Sequence, residues 1–215
     1  MFVDDVSTDV IVRKRILKVV KRSLPGTIFY CISGQLTIWL ISVFGQTKSI
    51  ATIGAISRLS MITTLLGSVY TVLIIPRFAR LPPIKSLLAK AFIKIHFFLY
   101  LACFLLMLFT SLTSEQLLSI LGDKYAGFQD ELLLSMLGSC IVLLVGGTIM
   151  ASTNKGWIMH PVQSISVSLF SIIAGLIIFD ISTLKGVLYM NIFIAAIEYL
   201  NQLLFLIFRL RRLGN

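Results

Sequence analysis

Charge is what this sequence has least of. Only 13% of its 215 residues are charged, about half the roughly 25% of a soluble domain. Nine of them are acidic, against nineteen Lys and Arg, while 57% of the chain is hydrophobic. Burying so much apolar surface inside one small water-soluble globule is not feasible. Signatures of chemistry are missing as well. There is no HExxH, no GxSxG and no GxxxxGK[ST], so zinc-protease, serine-hydrolase and P-loop nucleotide chemistry find no scaffold. The sequence does not read as an enzyme, and no cofactor or metal is expected. The three cysteines, Cys31, Cys103 and Cys140, have no metal-ligand spacing and read as small packing residues. No apolar h-region precedes the first long run, so no cleavable signal peptide is expected.

What the chain does have is long uncharged runs. No charged residue occurs from Ser23 to Thr47, Leu59 to Pro76, Ile95 to Ser114, Leu132 to Asn154 or Gly156 to Phe179; a sixth run, Gly186 to Phe208, is broken only by Glu198. A helix needs roughly 20 apolar residues to cross a bilayer. The runs predict six transmembrane helices, at Leu24–Phe44, Ile50–Ile75, Ala91–Phe109, Leu132–Met150, Val162–Phe179 and Val187–Phe208. Continuous runs without period-2 alternation argue against a membrane barrel. The expected fold is an all-α polytopic bundle over residues 23–208. A basic N-terminal segment, 1–22, precedes it and a short basic tail, 209–215, follows.

The basic residues are distributed unevenly. With alternating loops, fifteen fall on one side: six before the first span, five between the second and third, Lys155, and Arg209, Arg211 and Arg212. Only Lys48, Lys124 and Lys185 fall on the other, and Arg58 lies within a span. The positive-inside rule then puts both termini in the cytoplasm, in a cell inner membrane. The charges flank spans and have no soluble domain to sit on, so nucleic acid is not an expected partner. Ile11 to Val20 mixes apolar and basic residues and predicts an amphipathic helix drawn to anionic membrane lipid. Ile84 to Ile93, after Pro82-Pro83, reads the same way, or as a solvated linker.

Several spans carry polar stripes at helical spacing. The first has Gly26, Tyr30, Ser33, Gly34 and Thr37. The second has Gly54, Ser57, Ser60, Thr64, Gly67, Ser68 and Thr71. The fifth has Ser164, Ser168, Ser171 and Gly175, and the sixth has Asn191, Ala195, Glu198 and Gln202. Such stripes serve either close helix packing or the lining of a polar cavity. The third span has no stripe apart from His96 and Tyr100 and is expected to face lipid. His96 and His160 read as interfacial residues. Arg58 lies about 12 Å into the second predicted span, where an arginine costs about 2.5–3.5 kcal/mol on insertion scales and cannot deprotonate. It therefore needs an anion, either Glu198, at similar depth in the sixth span, or an anionic group of a substrate.

Four stretches carry a resemblance: Ser23-Leu-Pro-Gly26 opening the first span, Ala51-Thr-Ile-Gly-Ala-Ile-Ser-Arg-Leu59 in the second, Ile75-Pro-Arg77 ending it, and Leu118-Ser-Ile-Leu-Gly-Asp-Lys-Tyr125 after the third. In this order they resemble the C-terminal half of the polysaccharide and O-antigen flippases, from about Val12 to Arg212. These belong to the multidrug/oligosaccharidyl-lipid/polysaccharide exporter superfamily. The resemblance implies two six-helix bundles around a central cavity with alternating access. The implied activity is transport of an undecaprenyl-diphosphate-linked oligosaccharide for polysaccharide or lipopolysaccharide biosynthesis. It implies that Arg58 meets the diphosphate or sugar, for which its planar fork is suited. Ser57, Glu198, Gln202 and Thr37 complete the expected substrate-binding set. The chain departs from the family at Thr37, where members often carry an acid. Six helices are half of a twelve-or-more-helix transporter, so a second six-helix half or another copy of the chain is the expected partner. A non-functional transporter remnant and a non-transporting membrane interaction protein are the alternatives.

Overall fold

A computed structural model describes residues 24–33, 47–82 and 84–212, together with Arg13, Leu17, Val20, Lys21 and Trp39. All regular structure among them is helical. Five helices are long and apolar enough to cross a membrane. The first predicted span is described as a helix over Leu24–Ser33, α1. Its remainder, with Thr37, lies outside the described residues, as does most of the amphipathic stretch at Ile11 to Val20.

The second span runs over Thr52–Ala79 in pieces: α2 (Thr47–Ser60), α3 (Ile62–Val69), a π-helical turn (Tyr70–Ile74) and α4 (Ile75–Ala79). Two causes explain the breaks. At Met61 the chain tightens into i→i+3 bonding, with Met61 N–H donating to the Arg58 carbonyl at 3.2 Å. At Pro76 the missing N–H and the bulky ring loosen the preceding turn. There the Ile75 N–H reaches back five residues to the Tyr70 carbonyl, a π-bulge of the kind prolines promote in spanning helices.

α5 (Lys85–Leu121) has 37 residues and one non-helical residue, Thr113. It begins well before the predicted third span. Residues 84–93 are therefore neither a separate surface helix nor a linker: Leu88 and Phe92 are buried in the bundle as the first turns of α5. Past Thr113, Leu118 packs with Ile56 of α2 and Leu132 in a small second core.

α6 (Gln129–Asn154) is the central helix. In its most apolar stretch 44% is buried, against 22% in each of the other four spans, and it packs on α8, α5, α2, α3 and α4. It stops at Gly156, whose φ of 72° suits a residue without Cβ. The Gly156 N–H donates to the Thr153 carbonyl and the Trp157 N–H to that of Ser152, the Schellman pattern. Lys155 stabilises the neighbouring helix end, its Nζ donating to the carbonyls of Ala79 at 2.9 Å and Leu81 at 2.7 Å. α7 (Pro161–Ile178) starts with proline, which needs no N–H partner there, and docks on α8 through Ser168, Ser171 and Gly175. α8 (Leu184–Arg212) is capped by the Thr183 hydroxyl, which accepts from the Gly186 N–H at 3.1 Å. It continues through Arg212 into the stretch the sequence marks as a basic tail.

His96 is turned into the bundle. It is buried between α5 and α6, with Nε2 3.0 Å from the Thr148 hydroxyl. His160 is exposed. The Tyr100 and Tyr199 hydroxyls hydrogen-bond across α5 and α8. Cys103 and Cys140 are buried face to face, each thiol donating towards the other's backbone carbonyl at 3.9 and 4.0 Å. The outward side of α5, with Phe97, Phe98, Leu101, Phe104, Leu105 and Leu108, is exposed and apolar, as a lipid-facing surface requires.

Candidate functional site

The polar stripes are shared out between packing and a cavity. On the second span Ser60 and Thr63 turn inward and are buried. The Ser60 hydroxyl meets that of Ser135 on α6 at 3.0 Å. Ser57, Thr64, Ser68 and Thr71 lie on the exposed side of the same span. On α7, Ser168, Ser171 and Gly175 are buried against α8, the packing role. On α8, Asn191, Ala195 and Glu198 face a cleft of about 540 Å3 between α1, the second span, α6, α7 and α8.

The cleft's lining joins Tyr30 and Ser33 to Ser57, Ser60, Thr63 and Thr64, then to Ser135 and Ser139, with apolar Ile53, Leu134, Ile172 and Ile194 between them. A second cavity of about 490 Å3 continues along the span past Gly67, Ser68 and Thr71 to Gly146 and Gly147 of α6. The two share Thr63, Thr64, Ser139 and Val142 and so form one groove. From Ile53 to Val72 the groove follows about 28 Å of helix, close to the roughly 30 Å of a hydrocarbon core.

Glu198 is held by its neighbours. The Ser168 hydroxyl donates to its carboxylate at 2.6 Å, and the Tyr30 hydroxyl interacts with the same carboxylate. It does not pair with Arg58. Among the described residues the one ion pair is Lys185–Asp130, at 2.6 Å near the start of α8. The physical reason is placement: Arg58 is exposed and stands outside the cleft's lining, although its neighbour Ser57 is part of it. Gln202, one turn beyond Glu198, is buried and also outside the lining. The structure therefore brings Ser57 and Glu198 to one cleft and leaves Arg58 and Gln202 outside it. Thr37 lies outside the described residues.

The α6 contribution was not anticipated from sequence. Ser135, Gly138 and Ser139 lie within one helical turn and a signal for them exists in that spacing, but the run around them is so apolar that it reads as featureless. Among the described residues no three His, Cys, Asp or Glu come together as a metal site. Comparison with protein-family models, with curated proteins and with solved structures gives no match.

Proposed function

We propose that this chain is one half of a membrane transporter for a lipid-linked oligosaccharide, completed by a second six-helix half or another copy of itself. The observation that carries this reading is the groove: a file of hydroxyls and Glu198 set among apolar side chains, about as long as the hydrocarbon core is thick, on a bundle with broad exposed apolar surfaces. Polar and ionisable groups at membrane depth are costly and tend to mark substrate paths. Lipid alone would be a poor cover for Glu198 and the hydroxyls around it. A partner bundle closing over the groove would turn it into a chamber. The resemblance of the four sequence stretches to polysaccharide flippases supplies the substrate class. In this reading Ser57 and Glu198 contact the glycan, and Arg58, exposed beside them, meets the diphosphate. Both termini are cytoplasmic.

The test is complementation of a flippase-deficient strain. Co-expression with a six-helix N-terminal half should restore export of lipid-linked sugar, and the chain alone should not. Arg58→Ala should abolish the restored export, and Arg58→Lys should recover part of it, since an ammonium keeps the charge but loses the fork. Full export from the chain alone as a monomer, or normal export from Arg58→Ala, would refute the reading. Cysteine labelling from outside intact cells should reach position 182 and not position 155 if the orientation is right.

A further inference from the structure

Most of the groove's hydroxyls point their protons the same way. Ser33, Ser57, Thr63, Thr64 and Ser139 each donate their hydroxyl proton to a carbonyl of their own helix, at 2.5 to 3.2 Å. Ser68 and Thr71 do the same in the second cavity, at 2.9 and 2.8 Å, and the Tyr70 hydroxyl donates to the Gly147 carbonyl at 3.0 Å. A hydroxyl has one proton and two lone pairs. With the proton committed to the backbone, what these side chains offer to the groove is lone pairs. Glu198 adds carboxylate oxygens to the same lining, Asn191 adds an amide that can donate as well as accept, and the Ser60 and Ser135 hydroxyls bond to each other. Among the described residues no Lys, Arg or His lines either cavity.

From this we infer that the groove binds an uncharged or amine-bearing polyhydroxylated chain and rejects anionic sugars. The inference rests on the transporter reading for its substrate class and narrows that class. A neutral sugar carries a donor on every hydroxyl, which matches a lining in which acceptors outnumber donors. Its C–H faces match the Ile and Leu side chains interleaved with the serines. An amino sugar adds an ammonium for Glu198, a charge-assisted contact stronger than a neutral one. A uronate or phosphate brings mostly further acceptors and meets a carboxylate with no cation among the described lining residues to offset it. The diphosphate of a lipid carrier is therefore held outside the groove, on the side where Arg58 is exposed, while the glycan lies along the hydroxyl track.

The test uses the full chain in lipid nanodiscs and three disaccharide probes of similar size: neutral N,N′-diacetylchitobiose, the diamine chitobiose, and a hyaluronan disaccharide bearing one glucuronate. Saturation-transfer NMR titrations should show the first two binding, with the uronate at least tenfold weaker. Glu198→Gln should keep the neutral probe bound and remove the advantage of the diamine. Thr64→Val combined with Ser139→Ala should weaken the neutral probe at least fivefold. Ratios between probes on one sample do not depend on the fraction of folded protein, so a poorly folding variant still reports. Uronate binding as tight as the neutral probe, or a diamine advantage that survives Glu198→Gln, would overturn the inference. If those ratios fail while partner-dependent export stands, the transporter reading survives without it. If the ratios hold and export never appears, the groove's selectivity stands and the transporter reading fails.

Discussion

Gly175 provides the sharpest test of how the bundle is held together. A Cβ added there would lie 2.8 Å from Met190 Cγ, with Met190 Sδ at 3.7 Å and Phe193 Cδ1 at 3.8 Å. Carbon atoms in contact prefer about 3.5–4.0 Å, so α7 and α8 would have to separate by roughly 1 Å or Met190 would have to turn away. Met190 is 1% exposed and has little room to turn. Overpacking of this kind costs about 1–3 kcal/mol. Two turns back on the same face, the Ser168 hydroxyl donates to Glu198 at 2.6 Å. A shift that stretched this contact past hydrogen-bonding range would forfeit up to about 1.5–3 kcal/mol more. Against this, alanine is favoured over glycine in a helix by about 1 kcal/mol. The net expectation for Gly175→Ala is a loss of up to about 5 kcal/mol. Reversible unfolding in mixed detergent micelles would measure it, as a double-mutant cycle with Met190→Ala. With Met190 Cγ gone, Gly175→Ala should be neutral or slightly stabilising. An equal loss in both backgrounds would refute the packing explanation and leave Gly175 important for another reason.

Two further predictions concern the ends of the bundle. Lys155→Met keeps the length of the side chain but leaves the Ala79 and Leu81 carbonyls without their charged donor. It should destabilise by about 1–3 kcal/mol and speed amide exchange over residues 75–81 relative to the α6 interior; unchanged exchange there would show that the contacts carry no stability. Between α7 and α8, the Ser182 side chain and backbone N–H both donate to Asp180, which holds its carboxyl below the ordinary 3.8. A depressed acid stabilises the fold above its unfolded value and loses that contribution as pH falls through the folded one. Opening of the 180–186 turn, followed by amide exchange corrected for intrinsic rates, should therefore increase below about pH 4 and lose this dependence in Asp180→Ala.

Much of this architecture is legible in the sequence, for a simple reason. Spans two to six announce themselves because hydrocarbon demands an unbroken apolar run. Both ends of α5 and α8 lie outside the runs, at Lys85 and Leu121 for α5, because a helix does not stop where the lipid does. Pro76 marks the irregular end of the second span, and the sequence gives no warning that Met61 breaks it first. What hydropathy cannot reveal is which helix is central. Over their most apolar stretches the mean hydropathy is 2.3 for α6 and 2.2 for α5, yet α6 is walled in by neighbours and α5 leaves a whole apolar side exposed. Lipid and protein interior are about equally apolar. Side-chain choice in the candidate site shows the same limit. The i, i+3, i+4 spacing groups Asn191, Ala195, Glu198 and Gln202, of which the structure brings the first three to the cleft and buries Gln202 outside its lining. Depth along two helices puts Arg58 and Glu198 level, but it says nothing about their rotation, and Arg58 is turned out of the cleft.

The length of α5 has a thermodynamic consequence. Thirty-seven residues make a helix of about 55 Å, and a hydrocarbon core takes up only about 30 Å of it. The uncharged run of α5 ends at Ser114, so with that run in the hydrocarbon the part beyond Thr113 stands in a different solvent. There Leu118, with Leu117, Leu121, Tyr125 and Phe128 around it, would be driven together with them by the expulsion of water, which carries a large heat-capacity change. Helices within the bilayer have no water to expel and hold to one another by close packing. One chain thus contains two cohesive regions with different temperature responses. Cooling weakens the first and has no such effect on the second. Changing acyl-chain length strains the second and barely reaches the first. A detergent that preserves the spans can still dissolve the cap.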